Sequence, residues 1–451
     1  AKELGVHFLN KNSKHLFSDL RKYMVYNLGF GNFVFRDKNG NVIDEAANIV
    51  EFEEKILKIP EESLIFHSRF NHFSNWLIAH GEVQIAKKIR PLKVEDFASR
   101  QDLREFLYQV FRTVRIEKNK GKIINFDAAS LSEMNQIIRL TDGSLGGKGR
   151  GLAFLNALLC TMDYENKFEN VAIALPSTAI IGTAEFDQFV DNNDILQKIA
   201  GKKDEEIDKI FISGKLSDQL IKRLEIYLDV IKYPIAVRSS SLLEDSQAQP
   251  LAGVYRTFML PNNHPVKEIR LRQLTDAIKL VFSSVYLSDA RTFLESLNFK
   301  AEEEKMAVII QETVGSIQGD HYYYPHISGV AQSYNFYPMA HMKHTDGIAN
   351  IALGLGKSVV EGKLNFRFCP RYPETDVLTP EEMLRSSQKK FFALDLSKND
   401  FDLTKGEEIT LENLSIKDAD EQGTLKYIAS VWDYENNRLT DNLEAKGLKV
   451  I

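Results

Sequence analysis

Cysteine is nearly missing from this chain of 451 residues: Cys160 and Cys369 stand far apart, outside any Cys-x-x-Cys pattern and without histidines at zinc-ligand spacing. That scarcity argues against a disulfide framework and makes a reducing cytoplasm the expected setting. Long apolar runs are missing too; no window reaches the roughly 18 consecutive apolar residues of a membrane-spanning helix. The opening Ala1-Lys2-Glu3-Leu4-Gly5-Val6 has no extended apolar core of the signal-peptide kind, so a cytosolic chain with no membrane partner is expected. An initiator methionine is absent as well, which points to a processed chain or a piece of a longer one. Nor is there a surplus of positive charge. The formal net charge of −6 argues against a nucleic acid held by bulk electrostatics. What remains is ordinary globular composition, long enough for two or three domains with full cores.

Residues 1–120 read as a separate, smaller mixed α/β unit. Phe33-Val34-Phe35, the turn dipeptide Asn39-Gly40 and Val42-Ile43 predict a β-hairpin. A helix is predicted next, with Phe66, Phe70, Phe73 and Leu77 on one face and Gly81 at its end. Ser99 and Asp102 form a capping-box-like entry to a helix bearing Leu103, Phe106, Leu107, Val110, Phe111 and Val114. His67, His72 and His80 invite a metal reading, but their spacing does not stack them on one helical face; polar flanks of a core helix account for them. The polar, basic break Glu117–Lys122 sets the boundary, and residues 121–451 form the second domain.

In that second domain Ile123–Phe126 predicts a strand and Ser130–Leu140 a helix. Gly143–Gly151 is glycine-rich, with Lys148 in it, and leads into an amphipathic helix from Leu152 to about Cys160. Glycines let backbone amides approach a phosphate, and a helix N-terminus favours an anion. The stretch is no Walker loop, since Asp142 and Gly149 stand where Gly and Ser or Thr are needed. Val171–Pro176 and Thr178–Thr183 read as strands, Ala184–Asp191 and Leu216–Ile231 as helices, and Val266–Leu297 as one long helical region. The β-branched run Lys305–Val314 reads as a central strand ending at Gln311 and Glu312. Ile327–Ser333 reads as another strand. Beyond Phe368 the pattern turns polar and loop-rich.

The richest stretch is Pro234–Gly253. A short apolar run opens into Arg238, three consecutive serines and the acidic pair Glu244 and Asp245. A guanidinium fork beside hydroxyls and free amides suits an oligophosphate. The bland alternative is an arginine paired with local carboxylates in a surface loop.

Six blocks in order resemble the nucleotide-binding domain of phosphoenolpyruvate synthase (pyruvate, water dikinase) and pyruvate phosphate dikinase. They are Gly146-Gly147-Lys148 with Leu152; Leu175-Pro176 through Phe186; and Ala236-Val237-Arg238-Ser239-Ser240 with Glu244-Asp245, Ala252-Gly253 and Thr257-Phe258. Next come Met306-Ala307-Val308 with Gln311 and Val314, then Ser328-Gly329-Val330-Ala331, then Gly354-Leu355-Gly356 with Val359-Val360 and Gly362. The resemblance covers about half the chain, within residues 146–362. It implies an α+β fold of the ATP-grasp type, with ATP and Mg²⁺ held between two lobes. Lys148 and Arg238 would contact the phosphates and act in catalysis, with Gly146, Gly147, Ser239 and Ser240 beside them. Ala252-Gly253 would close over the phosphates, and Gln311, Glu312 and Val314 would form the adenine hinge. The implied reaction passes the β-phosphoryl group of ATP to a histidine on a mobile carrier, then to pyruvate.

Three departures qualify that resemblance. None of the ten histidines sits in the carrier's Gly-Gly-x-Thr-x-His context, so the carrier belongs to the rest of a longer protein or to a separate chain. Asp433-Tyr434-Glu435 has the bare Asp-x-Glu pattern of the Mg²⁺ pair, but Asn436-Asn437 reads as a surface turn, which leaves the metal ligands unassigned. Lys357 stands where the family carries glutamate, adding a positive charge. The alternative reading is therefore a catalytically degenerate nucleotide sensor whose aromatic N-terminal unit binds a partner. Oligomeric state stays open.

Overall fold

The computed structural model describes residues 15–128, 131, 136–162, 164, 167–241, 253–339, 341–373, 380–433, 435–436 and 438–451. The chain divides into two compact units, Ala1–Lys120 and Gly121–Ile451.

In the first unit, helix α1 (Leu16–Leu28) stops at Gly29 in the left-handed region, φ 75°. A Cβ there would lie 2.6 Å from the backbone of Trp76, so only glycine fits. An antiparallel hairpin of β1 (Phe33–Arg36) and β2 (Val42–Ala46) follows. Helix α2 (Ile49–Ile56) is capped by Asn48, which accepts from the Glu51 N–H. The helix expected through Phe66–Leu77 is instead two, α3 (Glu61–Arg69) and α4 (His72–Ala79). Asn71 at φ 57° breaks it and turns Phe70 out to 61% exposure. After α5 (Val83–Ile89), α6 (Arg100–Asn119) starts on a Ser99 cap. The core is aromatic: Phe33, Phe35, Phe52, Phe73, Trp76 and Phe111 pack together, Phe52 and Phe111 with ring centroids 3.9 Å apart. Arg115 and Glu53 form a buried ion pair at 2.8 Å.

The second unit is built on a six-stranded mixed sheet. Its elements run β3 (Ile123–Asn125), β4 (Ile137–Arg139), α7 (Gly146–Met162), β5 (Thr178–Ile181), α8 (Thr183–Asn192), α9 (Ile195–Ile199), α10 (Asp204–Ser213), α11 (Asp218–Val230), β6 (Ile235–Ser241), β7 (Thr257–Leu260), α12 (Lys267–Ser283), α13 (Ser288–Ser296) and β8 (Met306–Glu312). The strand order is β3-β4-β5-β8-β6-β7, parallel from β3 to β5 and antiparallel thereafter. Side chains alternate across the pleat. One face presents Ile138, Ala179, Ile181, Val308, Ile310, Ile235, Val237 and Phe258 to the main core, which takes in residues of α8 and of α10 to α13. The other face has a small patch of Ile137, Ile180 and Ile309 against Leu145, Leu152 and Ala153 of the α7 segment, then turns polar.

Three local expectations are corrected here. Ile137–Arg139 is a strand, flanked by parallel partners on both sides, where a helix was expected; residues 132–135 lie outside the described part. Val171–Pro176 has no regular structure, and Val171 is 54% exposed with no sheet neighbour to satisfy its backbone. The long helical region is two helices separated by a 3-10 turn, Ser284–Tyr286.

The remaining elements are β9 (Ser316–Gln318), β10 (Tyr322–Tyr324), β11 (Ser328–Gln332), β12 (Ile348–Ala352), α14 (Lys357–Val360), β13 (Phe366–Phe368), α15 (Pro380–Ser386), β14 (Lys390–Asp395), β15 (Leu411–Ser415), α16 (Ile416–Glu421), β16 (Ser430–Asp433), β17 (Arg438–Thr440) and β18 (Gly447–Val450). They form three more sheets, ordered β15-β14-β10-β9, β11-β12-β13 and β17-β16-β18. The loop-rich tail expected beyond Phe368 is therefore wrong. Phe391 to Leu394 are buried with Tyr324, Leu353, Leu355, Leu411 and Leu414 in a core of their own. Among the described residues, no helix is long and apolar enough to cross a membrane.

Candidate functional site

The polar half of the sheet's second face begins where α7 meets the end of β6. Helix α7 starts at Gly146, so Gly146, Gly147 and Lys148 form its first turn; the sequence placed them in a loop before a helix starting at Leu152. The reason is the contact with β6. Gly146 sits at φ 70°, and a Cβ on it would lie 1.7 Å from the Ser240 carbonyl oxygen. Without a side chain the turn lies directly on the strand. Ser240 Oγ then donates to the Leu145 carbonyl at 2.8 Å and accepts from the Gly149 N–H at 3.0 Å. Lys148 Nζ donates to Ser239 Oγ at 3.4 Å. Ser239, Ser240 and Ser241 are fully buried, while Lys148 and Arg238 are half-buried.

A second chain of bonds crosses the sheet. Arg238 on β6 and Gln311 on β8 share the α7 side of the sheet, and the Arg238 guanidinium donates to Gln311 Oε1 at 3.3 Å. Gln311 Nε2 donates onward to Thr178 Oγ1 on β5, at 3.1 Å. Glu312 exchanges bonds with Ser177, its N–H donating to the Ser177 carbonyl at 2.9 Å and its carboxylate accepting from the Ser177 N–H at 3.3 Å. The structure thus brings together Gly146, Gly147, Lys148, Arg238, Ser239, Ser240 and Gln311, with Glu312 at the strand end. Val314 lies past β8 and is 57% exposed. Gly253, at φ 77°, opens the segment into β7 and is exposed. Ala252, Glu244 and Asp245 lie outside the described residues.

The extra positive charge of Lys357 is paired. Its ammonium meets Glu361 at 2.6 Å and Glu408 at 3.2 Å. Burial opposes its charge, but the two carboxylates more than offset that and raise its pKa above the ordinary lysine value. Beside Glu408, Glu407 accepts from the Thr257 N–H at 3.3 Å, at the register position opposite Arg238. Burial pushes its carboxyl above the usual range against the Thr257 bond and the nearby Lys357 and Arg256 charges. Neither Glu407 nor the bridging role of Thr178 was legible in sequence: Glu407 lies in a bland polar run, and Thr178 reads only as a strand residue. Asp433 accepts from the Glu435 N–H, the Asn436 N–H and the Asn436 side-chain amide, so both its oxygens serve its own turn. Among the described residues no group of three His, Cys, Asp or Glu could hold a metal ion.

A glycine-opened helix turn carrying a lysine, docked on the strand that carries an arginine, supplies the backbone amides and cations that suit an oligophosphate. This is an ATP-binding domain. The chain belongs to the family described as pyruvate phosphate dikinase, AMP/ATP-binding domain, whose family model matches residues 142–422. It is also 25% identical over 201 residues to a protein of Bacillus subtilis (strain 168) described as an uncharacterized phosphotransferase, YvkC. That match covers 44% of this chain and 21% of the relative, so the chain spans about a fifth of the relative's length.

Proposed function

We propose that residues 121–451 bind ATP on the α7 side of the six-stranded sheet and pass a phosphoryl group to a carrier histidine outside this chain. The observation that carries the reading is the docking of the first turn of α7 on β6, which sets Lys148 against Ser239 beside Arg238. In this reading the Gly146 and Gly147 amides, Lys148, Arg238, Ser239 and Ser240 hold the phosphates. Gln311, Glu312 and Val314 border the base, and Ala252-Gly253 covers the nucleotide in a two-lobed ATP-grasp arrangement. Phosphoryl transfer demands mainly positioning and charge neutralisation, which a lysine, an arginine and the amides of a helix's first turn supply. Bound Mg²⁺ would neutralise the phosphate oxygens further. The class is that of pyruvate, water dikinase, with pyruvate as final acceptor. Calorimetric titration with ATP and Mg²⁺ tests the site: wild type binds, and Arg238→Ala loses about tenfold or more in affinity, the scale of a charge-assisted hydrogen bond. Equal binding by the variant would remove the assignment. Conversion of ATP to AMP with an added carrier domain tests the transfer.

A second reading, a nucleotide sensor without transfer, is favoured by Lys357, which stands where the resembling family carries glutamate and is held by Glu361 and Glu408. ATP binding without turnover in a chain supplied with its carrier would select it.

A further inference from the structure

Four polar groups are joined across the second face of the six-stranded sheet: Arg238 on β6, Gln311 on β8, Thr178 on β5 and the Pro176 carbonyl just before β5. Gln311 stands opposite Thr178 in the β5–β8 register and opposite Ala236 in the β6–β8 register, which makes Arg238 its diagonal neighbour on the same face. Thr178 is 3% and Gln311 8% exposed, so water does not stand in for a lost partner there.

The two ends of this series fix the direction of every bond in it. A guanidinium only donates, so the atom that Arg238 meets at 3.3 Å is the Gln311 carbonyl oxygen, Oε1. The amide nitrogen is thereby turned toward β5, where Nε2 donates to Thr178 Oγ1 at 3.1 Å. A backbone carbonyl only accepts, so the Thr178 hydroxyl gives its one proton to the Pro176 oxygen at 2.8 Å and meets Gln311 with a lone pair. Turning the Gln311 amide over would set its NH2 against the guanidinium, and its oxygen against a hydroxyl whose proton is already engaged. The amide therefore has one orientation, and Thr178 holds it there.

We propose that Thr178 is a positioning residue for the phosphate site. Through Gln311 it fixes the Arg238 side chain on the sheet face, with the guanidinium N–H groups that make no hydrogen bond among the described residues directed to phosphate oxygens. A long arginine side chain loses rotamer freedom when it binds, and a bond that already fixes it removes part of that loss. Thr178 acts through Arg238 and touches no phosphate itself. The inference rests on the reading that Arg238 holds phosphate.

Calorimetry of the whole chain with ATP and Mg²⁺ tests it in a cycle of Thr178→Val, Arg238→Ala and the double variant, with Thr178→Ser beside them. Valine keeps the β-branched shape and removes the hydroxyl, and urea midpoints establish that each variant is folded. Thr178→Val is expected to weaken ATP binding about fivefold to tenfold, the scale of one buried hydrogen bond, and Thr178→Ser to restore most of it. In the Arg238→Ala background Thr178→Val is expected to change ATP affinity no further, a coupling that a merely structural role would not produce. If Thr178→Val fails to fold, Gln311→Met removes the link between Thr178 and Arg238 and decides in the same cycle. Unchanged ATP binding, an equal loss with and without Arg238, or no recovery in Thr178→Ser overturns the proposal and leaves the nucleotide reading standing. No ATP binding by wild type, or equal binding by Arg238→Ala, removes that reading and the proposal with it.

Discussion

Two alanine substitutions in α7, five residues apart, are expected to act in opposite directions. Gly146→Ala forces an alanine to φ 70°, which costs about 1–2 kcal/mol for an L-residue. Its Cβ would also lie 1.7 Å from the Ser240 carbonyl oxygen and 2.5 Å from the carbonyl carbon, an overlap with backbone that only moving α7 off β6 relieves. That movement breaks the bonds of Ser240 Oγ to Leu145 and Gly149, and buried groups left without partners cost about 1–3 kcal/mol each. The total is on the order of 4 kcal/mol, a large share of a domain's stability. Gly151→Ala meets nothing within 4 Å and should gain about 0.5–1 kcal/mol from helix propensity. Urea unfolding reads the stability of each, and calorimetry with ATP reads the site. Gly146→Ala is expected to lose about a hundredfold in ATP affinity, because its own amide and that of Gly147 move with Lys148. The reasoning fails if Gly146→Ala matches wild type in either measurement, or if Gly151→Ala is as damaging as Gly146→Ala.

Ser240→Ala should destabilise by about 1–3 kcal/mol, since the Leu145 carbonyl and Gly149 N–H lose their shared partner; urea midpoints check it. Glu53→Gln should cost the first unit about 3–5 kcal/mol by leaving the Arg115 charge buried without its carboxylate, and a loss below about 1 kcal/mol would count against a buried pair. Acid should weaken the first unit through His67, whose pKa falls from 6.5 to about 3 on folding. The unfolded chain binds a proton that the folded one rejects, so stability rises with pH across that window, by up to about 1.4 kcal/mol per pH unit from this group. A urea midpoint for the first unit that stays flat from about pH 7 to about pH 5 would contradict a buried, neutral His67.

What the sequence alone determined is the order of its blocks and the residue types at their centres. Gly146-Gly147-Lys148, Arg238-Ser239-Ser240 and Gln311 appear in a linear series specific enough to indicate the family. The apolar runs Ile235–Val237 and Met306–Ile310 are local patterns, so the central strands were legible too. Only the tertiary structure decided how those blocks meet. Lys148 and Ser239 are separated by 91 positions, and Arg238 and Gln311 by 73, distances over which no periodicity carries information. The same holds for the start of α7: its glycines read locally as a loop, and the bare approach to Ser240 makes them a helical turn. The break at Asn71 is local in cause, since one asparagine in the left-handed region suffices. Its consequence, the contact of His67 with His72, goes with the packing of Phe33 on β1 against both His67 of α3 and Phe73 of α4, which no local pattern states. Buried strand Lys390–Asp395 was lost in a polar stretch because its partners, Tyr322–Tyr323 and Leu411–Ser415, supply the burial that its own flanks do not.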